Sequence, residues 1–352
     1  MLVSAVELFE DVIDQKNAVT QLQITSKNPV HAYLFLGPKG SCKWDAAKAF
    51  AAKILSNNQS GQDQSRTINL IKKEEHPDLI RISPTGNQYR DYDVQQIINE
   101  ASRSSIEGDK KIIVADRFHT ANETAVGRLL KTLEEPPPAI IIILLSEIIP
   151  RNQITIASRC QQVQFNRISD SEMERWLQQH VHDSEVIQLI TIAARGDIQR
   201  AIDLISDPNI GNRYDLWRST LENLQPQGYA IASAVNELQK QIDQAEVVIT
   251  NKHDQELEEL MNNEKELGVN SGRRSQIEAS HKREIRRFRT DELEFGLFVF
   301  STVFRERLLN VPDKDCMEAI KIIKDANTGL NRNANEKLLL TSLLISLSES
   351  LK

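Results

Sequence analysis

The stretch from His31 to Leu55 constrains the fold of this chain more than any other. Tyr33 to Leu36 is an apolar run of strand length, Gly37-Pro38-Lys39-Gly40-Ser41-Cys42-Lys43-Trp44 is a short loop, and Asp45 to Leu55 is Ala-rich and reads as a helix. A strand that enters a helix through a loop opened by Gly and closed by Lys has the layout of a phosphate-binding loop, G-x-x-x-x-G-K-[ST]. There the backbone N–H groups wrap phosphate oxygens and the helix N-terminus adds favourable potential. Gly37 and Lys43 stand where that pattern wants them, with Gly40 between them, but two positions fail. Cys42 replaces the second required Gly, and a Cβ there obstructs close backbone approach and disfavours positive φ. Trp44 replaces the magnesium-binding Ser or Thr, and an indole offers one N–H and no oxygen. Lys43 alone is a point charge rather than a site. The expectation is a strand–loop–helix whose nucleotide site is degenerate.

The metal side fails in parallel. Lys111 to Ala115 reads as a short buried strand ending at Asp116-Arg117. A hydrolytic site wants an acid for the magnesium shell and then a group that orients the attacking water. Asp116 suits the first role, whereas the guanidinium of Arg117 accepts nothing. Further on, Leu129-Leu130-Lys131-Thr132-Leu133-Glu134-Glu135 reads as a helix ended by Pro136-Pro137-Pro138, because proline removes donors and fixes φ. The aliphatic run Ala139 to Leu145 suits a central strand of a parallel sheet, buried on both faces.

His31-Ala32-Tyr33-Leu34-Phe35, the LLKTLEEPP block from Leu129 to Pro137, and Thr155-Ile156-Ala157-Ser158-Arg159-Cys160 together resemble bacterial clamp-loader subunits. These are AAA+ proteins of the DNA polymerase III holoenzyme. Leu8 to Gln15 is similar to the family's opening segment, with Asp14 where Gly is usual, and His76-Pro77-Asp78-Leu79 fits the delta-prime branch. The resemblance implies a RecA-like P-loop NTPase fold with a parallel sheet, a small helical lid and a C-terminal helical collar. It also implies a stator that does not hydrolyse nucleotide itself. Its SRC motif (Ser158, Arg159, Cys160) would lend Arg159 as an arginine finger to the ATP site of a neighbouring gamma/tau subunit. Such a finger, supplied in trans, stabilises charge developing on the transferred phosphoryl group.

Several positions depart from the family pattern. The sensor position falls at Ser146 or Glu147, and the lid arginine falls near Gln199, with Arg200 one residue on. Many relatives carry a four-cysteine zinc module ahead of the His76 segment. Here Ser56 to Glu75 holds no cysteine, and Ser56 to Asp63 reads as a polar loop. Zinc needs a closed set of thiolate or imidazole ligands, so no metal is expected, and no nucleotide cofactor either.

The chain has 352 residues, enough for more than one domain, and a formal net charge of −7. An acidic chain is a poor general DNA binder, because phosphate contacts dominate that affinity. Contact with primed DNA is therefore expected through partners or one local basic surface. No run is long and pure enough to span a bilayer. Met1 to Asp11 lacks a basic segment, which argues against a signal peptide. Cys42, Cys160 and Cys316 are odd in number and far apart, as in a reduced cytoplasmic setting.

Residues 1–165 alternate helices with short apolar strands, the pattern of a doubly wound α/β domain. Residues 166–207 read as the lid, with Ser169 and Glu172 spaced as a capping box and Gly196-Asp197 opening a further helix. Residues 208–352 read as all-helical. Within them, Leu338, Leu339, Leu343, Leu344 and Leu347 form one stripe; Leu293, Leu297, Phe298, Phe300, Val303, Phe304 and Leu308 form another. At about residues 246–289, Glu256, Glu258, Glu259, Glu264 and Glu266 precede a turn at Gly268 to Gly272. Arg273, Arg274, Lys282, Arg283, Arg286, Arg287 and Arg289 follow it. Two readings stand: a hairpin that sets acids against bases, or one whose Arg286, Arg287 and Arg289 face DNA or a partner.

The functional expectation is a delta-prime-like subunit working with gamma/tau and delta to place the sliding clamp on primed DNA. The holoenzyme polymerises DNA, while this chain carries none of that chemistry. The alternative is an active gamma/tau-type ATPase with a divergent loop. A third reading is an AAA+ adaptor outside replication.

Overall fold

The computed structural model describes residues 7–57, 59–84, 88–206, 209–267, 273–310, 314–330 and 334–350. The chain divides into two compact units, residues 1–205 and 206–352.

In the first unit α1 (Lys16–Thr25) precedes β1 (Ala32–Leu36) and α2 (Lys43–Leu55). Then come α3 (Gly61–Lys72), β2 (Leu79–Ile82), α4 (Asp91–Ala101), β3 (Lys111–Ala115) and α5 (Glu123–Glu134). They are followed by β4 (Ile140–Ser146), α6 (Ile154–Ala157), β5 (Gln161–Gln164), α7 (Asp170–Leu177), α8 (Ser184–Ala194) and α9 (Ile198–Ile205). Among the described residues the strands form one five-stranded sheet in the order β2-β3-β4-β1-β5, every pair parallel. Parallel neighbours need crossover connections, so the loops after β1, β3 and β4 all emerge at one end of the sheet. The all-aliphatic β4 is central and buried throughout, as its composition requires.

Three local expectations are corrected. The stretch read as a polar loop is in part helical: Gly61–Lys72 forms α3, which buries Thr67, Ile68 and Ile71. Those three positions lie on one helical face, a pattern that the surrounding polar residues obscure. Ser169 occupies the N-cap position of α7, but its side chain makes no cap bond. Its N–H instead donates to Asp14 Oδ2 at 2.8 Å, and its hydroxyl lies 3.4 Å from Ser171 Oγ. Leu338 is 70% exposed, so the buried stripe of the last helix runs through Leu340, Leu343, Leu344 and Leu347.

The second unit is helical at every described position in a regular element: α10 (Ile210–Glu222), α11 (Gly228–Leu267), α12 (Arg273–Asn310), α13 (Lys314–Leu330) and α14 (Glu336–Ser350). Leu293, Leu297, Phe300, Val303 and Phe304 of α12 are buried. Trp217 lies directly on Gly296, where any Cβ would overlap the indole. α11 and α12 run back along one another, with His253 stacked on His281 at 3.9 Å. Arg289 is bound by Asp243 at 2.7 Å, Glu246 at 2.5 Å and Glu336 at 2.7 Å. Those carboxylates, Glu336 first, hold its guanidinium above the ordinary arginine range. Arg289 is therefore spent within the unit. The turn at Gly268 to Gly272 lies outside the described residues, as do the side chains of Glu256, Glu259, Glu264, Glu266, Arg273, Arg274, Arg283 and Arg287. Among the described residues no helix is long and apolar enough to cross a membrane.

Candidate functional site

The loop after β1 keeps a tight turn despite its substitutions. Gly37 N–H donates to Ser146 O at 3.1 Å, tying the loop to the end of β4. Gly40 has φ +72, and Cys42, at the N-cap of α2, also takes a left-handed conformation with φ 58. The cysteine thus accepts the backbone that the Gly of the pattern would supply. Asp14, in the position where the resembled family favours Gly, likewise has φ 57, and Arg117 has φ 53. Such angles strain a residue that carries a Cβ. The Cys42 thiol is buried, which pushes its pKa up to about 12, so it is an inert packing group rather than a nucleophile.

The charged groups at this end of the sheet are engaged with one another. Lys43 Nζ donates to Gly37 O at 2.6 Å and Pro38 O at 2.5 Å, so its ammonium closes the loop's own carbonyls. Burial lowers its pKa, against the opposing pull of Glu147, Asp116 and Asp197. Asp116 is ion-paired with Arg81 at 2.8 Å. The Arg81 guanidinium lies 4.4 Å from the Trp44 ring centroid, and Trp44 Nε1 donates to Glu74 Oε1 at 2.7 Å. Glu74 also lies 3.6 Å from Lys48 and 4.0 Å from Arg81. Arg81 thus contacts both the face of the Trp44 indole and the carboxylate of Asp116. Trp44 contributes no oxygen ligand, so this set does not fit a magnesium–nucleotide site.

The first residues of α9 press on the loop. Ile198 N–H donates to Gly40 O at 3.2 Å, and Lys39 lies 3.8 Å from Asp197. Asp197 Oδ1 accepts from the N–H groups of Gln199 and Arg200 at 3.0 and 3.2 Å, capping α9. Ser146 ends β4 with its hydroxyl buried and without a hydrogen-bond partner among the described residues. Glu147 N–H donates to His119 Nδ1 at 3.3 Å. Burial lowers the His119 pKa, opposed by Glu147.

The SRC residues lie at the other end of the sheet. Arg159 precedes β5, whose Gln161 pairs with Tyr33 near the start of β1, whereas the loop leaves the end of β1. Across a five-residue strand that separation is roughly 15 Å, beyond the span of an arginine side chain. Arg159 is exposed: Nη1 donates to Thr155 O at 2.9 Å and Nη2 lies 2.7 Å from Glu134 Oε1. Ser158 is exposed, its hydroxyl donating to Thr155 O at 2.9 Å. Cys160 is half-buried, and burial pushes its thiol up to about 12. The His76-Pro77-Asp78 segment is structural. The Asp78 carboxylate accepts the N–H groups of Ile106, Glu107 and Gly108 at 2.6, 2.8 and 3.1 Å, shaping the turn before β3.

The structure therefore gathers Gly37, Gly40, Cys42, Lys43, Trp44, Asp116 and Arg117 at one sheet end and leaves Arg159 at the other. Sequence reasoning missed Arg81, Glu74, His119, Asp197 and Glu134. For Arg81 a faint signal exists, a lone cation in the strand Leu-Ile-Arg-Ile. Its pairing with Asp116 follows from the β2–β3 register, which sets Arg81 beside Val114.

A parallel sheet in this order, opened by a P-loop-type strand–loop–helix and followed by short helices and a helical unit, defines an AAA+-type P-loop fold. Residues 14–169 match the family described as DNA polymerase III, delta subunit. The delta' subunit of DNA polymerase III from Bacillus subtilis (strain 168) is 32% identical over 154 residues, covering 43% of this chain and 47% of that protein. The tau subunit from the same organism is 29% identical over 209 residues, covering 56% of this chain and 37% of that one. A gamma subunit-related protein of DNA polymerase III from Thermotoga maritima superposes with a TM-score of 0.49 at 14% identity, covering 96% of this chain and 100% of that one. The matched region spans about half the length, or less, of these two curated relatives. Over residues 14–169 the chain is similar to the delta' clamp-loader subunits of DNA polymerase III.

Proposed function

We propose that this protein is a delta-prime-like clamp-loader subunit that hydrolyses no ATP itself and lends Arg159 to the ATP site of an adjacent gamma/tau-type subunit. The observation that carries this reading is the division of the sheet. One end ties up its lysine and its acid internally, and the other presents an arginine about a strand length away from the chain's own loop. That separation, together with the exposure of Arg159, supports its use in trans. Its partners in this reading are gamma/tau and delta subunits, with the sliding clamp and primed DNA reached through the complex in the cytoplasm. Residues 166–207 serve as the lid and residues 208–352 as the collar. No nucleotide and no zinc is needed by the chain.

The rival is an active gamma/tau-type ATPase. It draws support from the tau relative, whose match to this chain is longer than that of the delta' relative. Trp44 and the Arg81–Asp116 pair weigh against it, because no oxygen ligand follows Lys43 and the acid is already neutralised.

The test is reconstitution with gamma/tau-type and delta-type subunits of the same organism, assayed for ATP turnover on primed DNA and clamp. Arg159→Ala is expected to lower turnover by about a hundredfold or more at the dependent site. Unchanged turnover in assembled complex would remove the finger assignment. Tight magnesium-dependent ATP binding by the isolated chain would favour the rival.

A further inference from the structure

We propose that Glu134 is the positioning residue for Arg159, a reading that rests on Arg159 acting as the finger. Glu134 is the last residue of α5, which the Pro136-Pro137-Pro138 run prevents from continuing. An acid in the last helical turn is electrostatically misplaced, because that end of the dipole favours cations. Glu134 is compensated there by the Arg159 guanidinium at 2.7 Å.

Both partners are anchored from below. Leu133, next to Glu134, and Ile156, three residues before Arg159, are buried in the same apolar core that holds β4. The second anchor on the guanidinium is the Thr155 carbonyl at 2.9 Å. Arginine carries five N–H donors in a planar fork. The Thr155 carbonyl takes one N–H of Nη1 and Glu134 holds Nη2 as an ion pair, which leaves further N–H donors of the fork for phosphate oxygens. The guanidinium can therefore stay anchored while it engages a neighbour's phosphate. The pair is open to solvent, with side chains 37% and 51% exposed, so it directs the arginine outward rather than burying it. Preorganised donors need no reorganisation as charge develops in the transition state, and ordering one long side chain in advance removes an entropic cost.

The experiment uses the reconstituted complex described above, with four variants of this chain. Glu134→Ala should lower the maximal turnover by about 3- to 10-fold, the cost of ordering one such side chain, with little change in the KM for ATP. Glu134→Gln should recover part of that loss, since its amide oxygen can accept from the guanidinium while the charge of the pair is lost. The decisive arm is Arg159→Ala combined with Glu134→Ala, which should be no slower than Arg159→Ala alone, because Glu134 acts through Arg159. A double variant slower than Arg159→Ala would mean that Glu134 supports the fold generally. Glu134→Ala turnover at or above the unmodified level would overturn the positioning role while a damaged Arg159→Ala kept the finger. An undamaged Arg159→Ala would remove the finger reading itself, so the two failures are distinguishable.

Discussion

The two ends of the parallel sheet hold charge in opposite ways. At the end where β1, β3 and β4 run out, Lys43 is bound to loop carbonyls, Asp116 to Arg81, and Arg81 to the face of Trp44. At the end where β5 begins, Arg159 has two anchors and is still exposed. The contrast teaches that a charged motif residue is read from what it is bound to. Arg289 makes the same point in the helical unit, where three carboxylates consume a residue that sequence alone left open as a DNA or partner contact.

The sharpest way to break this contrast is to remove one cation from each end. In assembled complex, Lys43→Ala should leave ATP turnover within about twofold, since Lys43 serves only its own loop, while Arg159→Ala loses about a hundredfold or more. Equal losses would mean that both ends serve chemistry, and the division would collapse.

A second break falls on the contact between the loop and α9. A Cβ at Gly40 would overlap the backbone and carboxyl of Asp197, and the position already has φ +72. Gly40→Ala should destabilise the chain by about 2–4 kcal/mol, summing the left-handed penalty and overpacking. Gly127→Ala is the control, because nothing lies within 4 Å of a Cβ there and the residue is inside α5. It should stabilise by about 0.5–1 kcal/mol. Denaturant unfolding of both variants measures this, and equal effects would show that the loop is not pinned against Asp197.

Arg81 offers a gain-of-function test. Cys42→Gly with Trp44→Thr restores the loop pattern, yet Asp116 would still be held by Arg81. The repaired loop should bind magnesium–ATP only when Arg81→Ala is added. Ligand at about ten times its dissociation constant should then raise stability by about 1.4 kcal/mol. Binding by the repaired loop with Arg81 intact would show that the guanidinium does not block the acid.

Much of this arrangement is legible in the amino-acid sequence. The strand at Tyr33 to Leu36, the helix after it and the central placement of the aliphatic run follow from local pattern, because each is set by a few consecutive residues. The degeneracy of the loop is also legible, since Trp44 lacks a ligand atom whatever the fold. Cys42, where a Cβ disfavours positive φ, nonetheless adopts φ 58 in its place between the loop and α2. The partners of the motif residues are not legible. Arg81 meets Asp116 across a strand pairing, Glu134 meets Arg159 across a turn between two helices, and Asp197 reaches Gly40 from far along the chain. Such contacts depend on register and packing, which no local spacing encodes. The missed helix α3 has a different cause, a narrow apolar face within a polar stretch.

The smallest expected effect is a pH dependence from two histidines, His119 at the loop end and His76 ahead of β2. Burial lowers the pKa of His119, and separately that of His76. Each therefore binds its proton less readily in the folded chain than in the unfolded one, where histidine titrates near 6.5. Between the folded and unfolded values the unfolded chain holds more protons, so stability rises with pH through that window and falls as the solution is acidified below about 6.5. For His119 burial is the largest cause; Glu147 and Asp116 favour the imidazolium, while Lys43 and Arg117 oppose it. His119→Gln should therefore flatten the acid limb of the unfolding free energy more than it changes stability at pH 8. A slope identical to that of the unmodified chain would place the acid sensitivity elsewhere, with His76, whose Nδ1 accepts the Asp78 N–H at 3.1 Å, as the next residue to substitute.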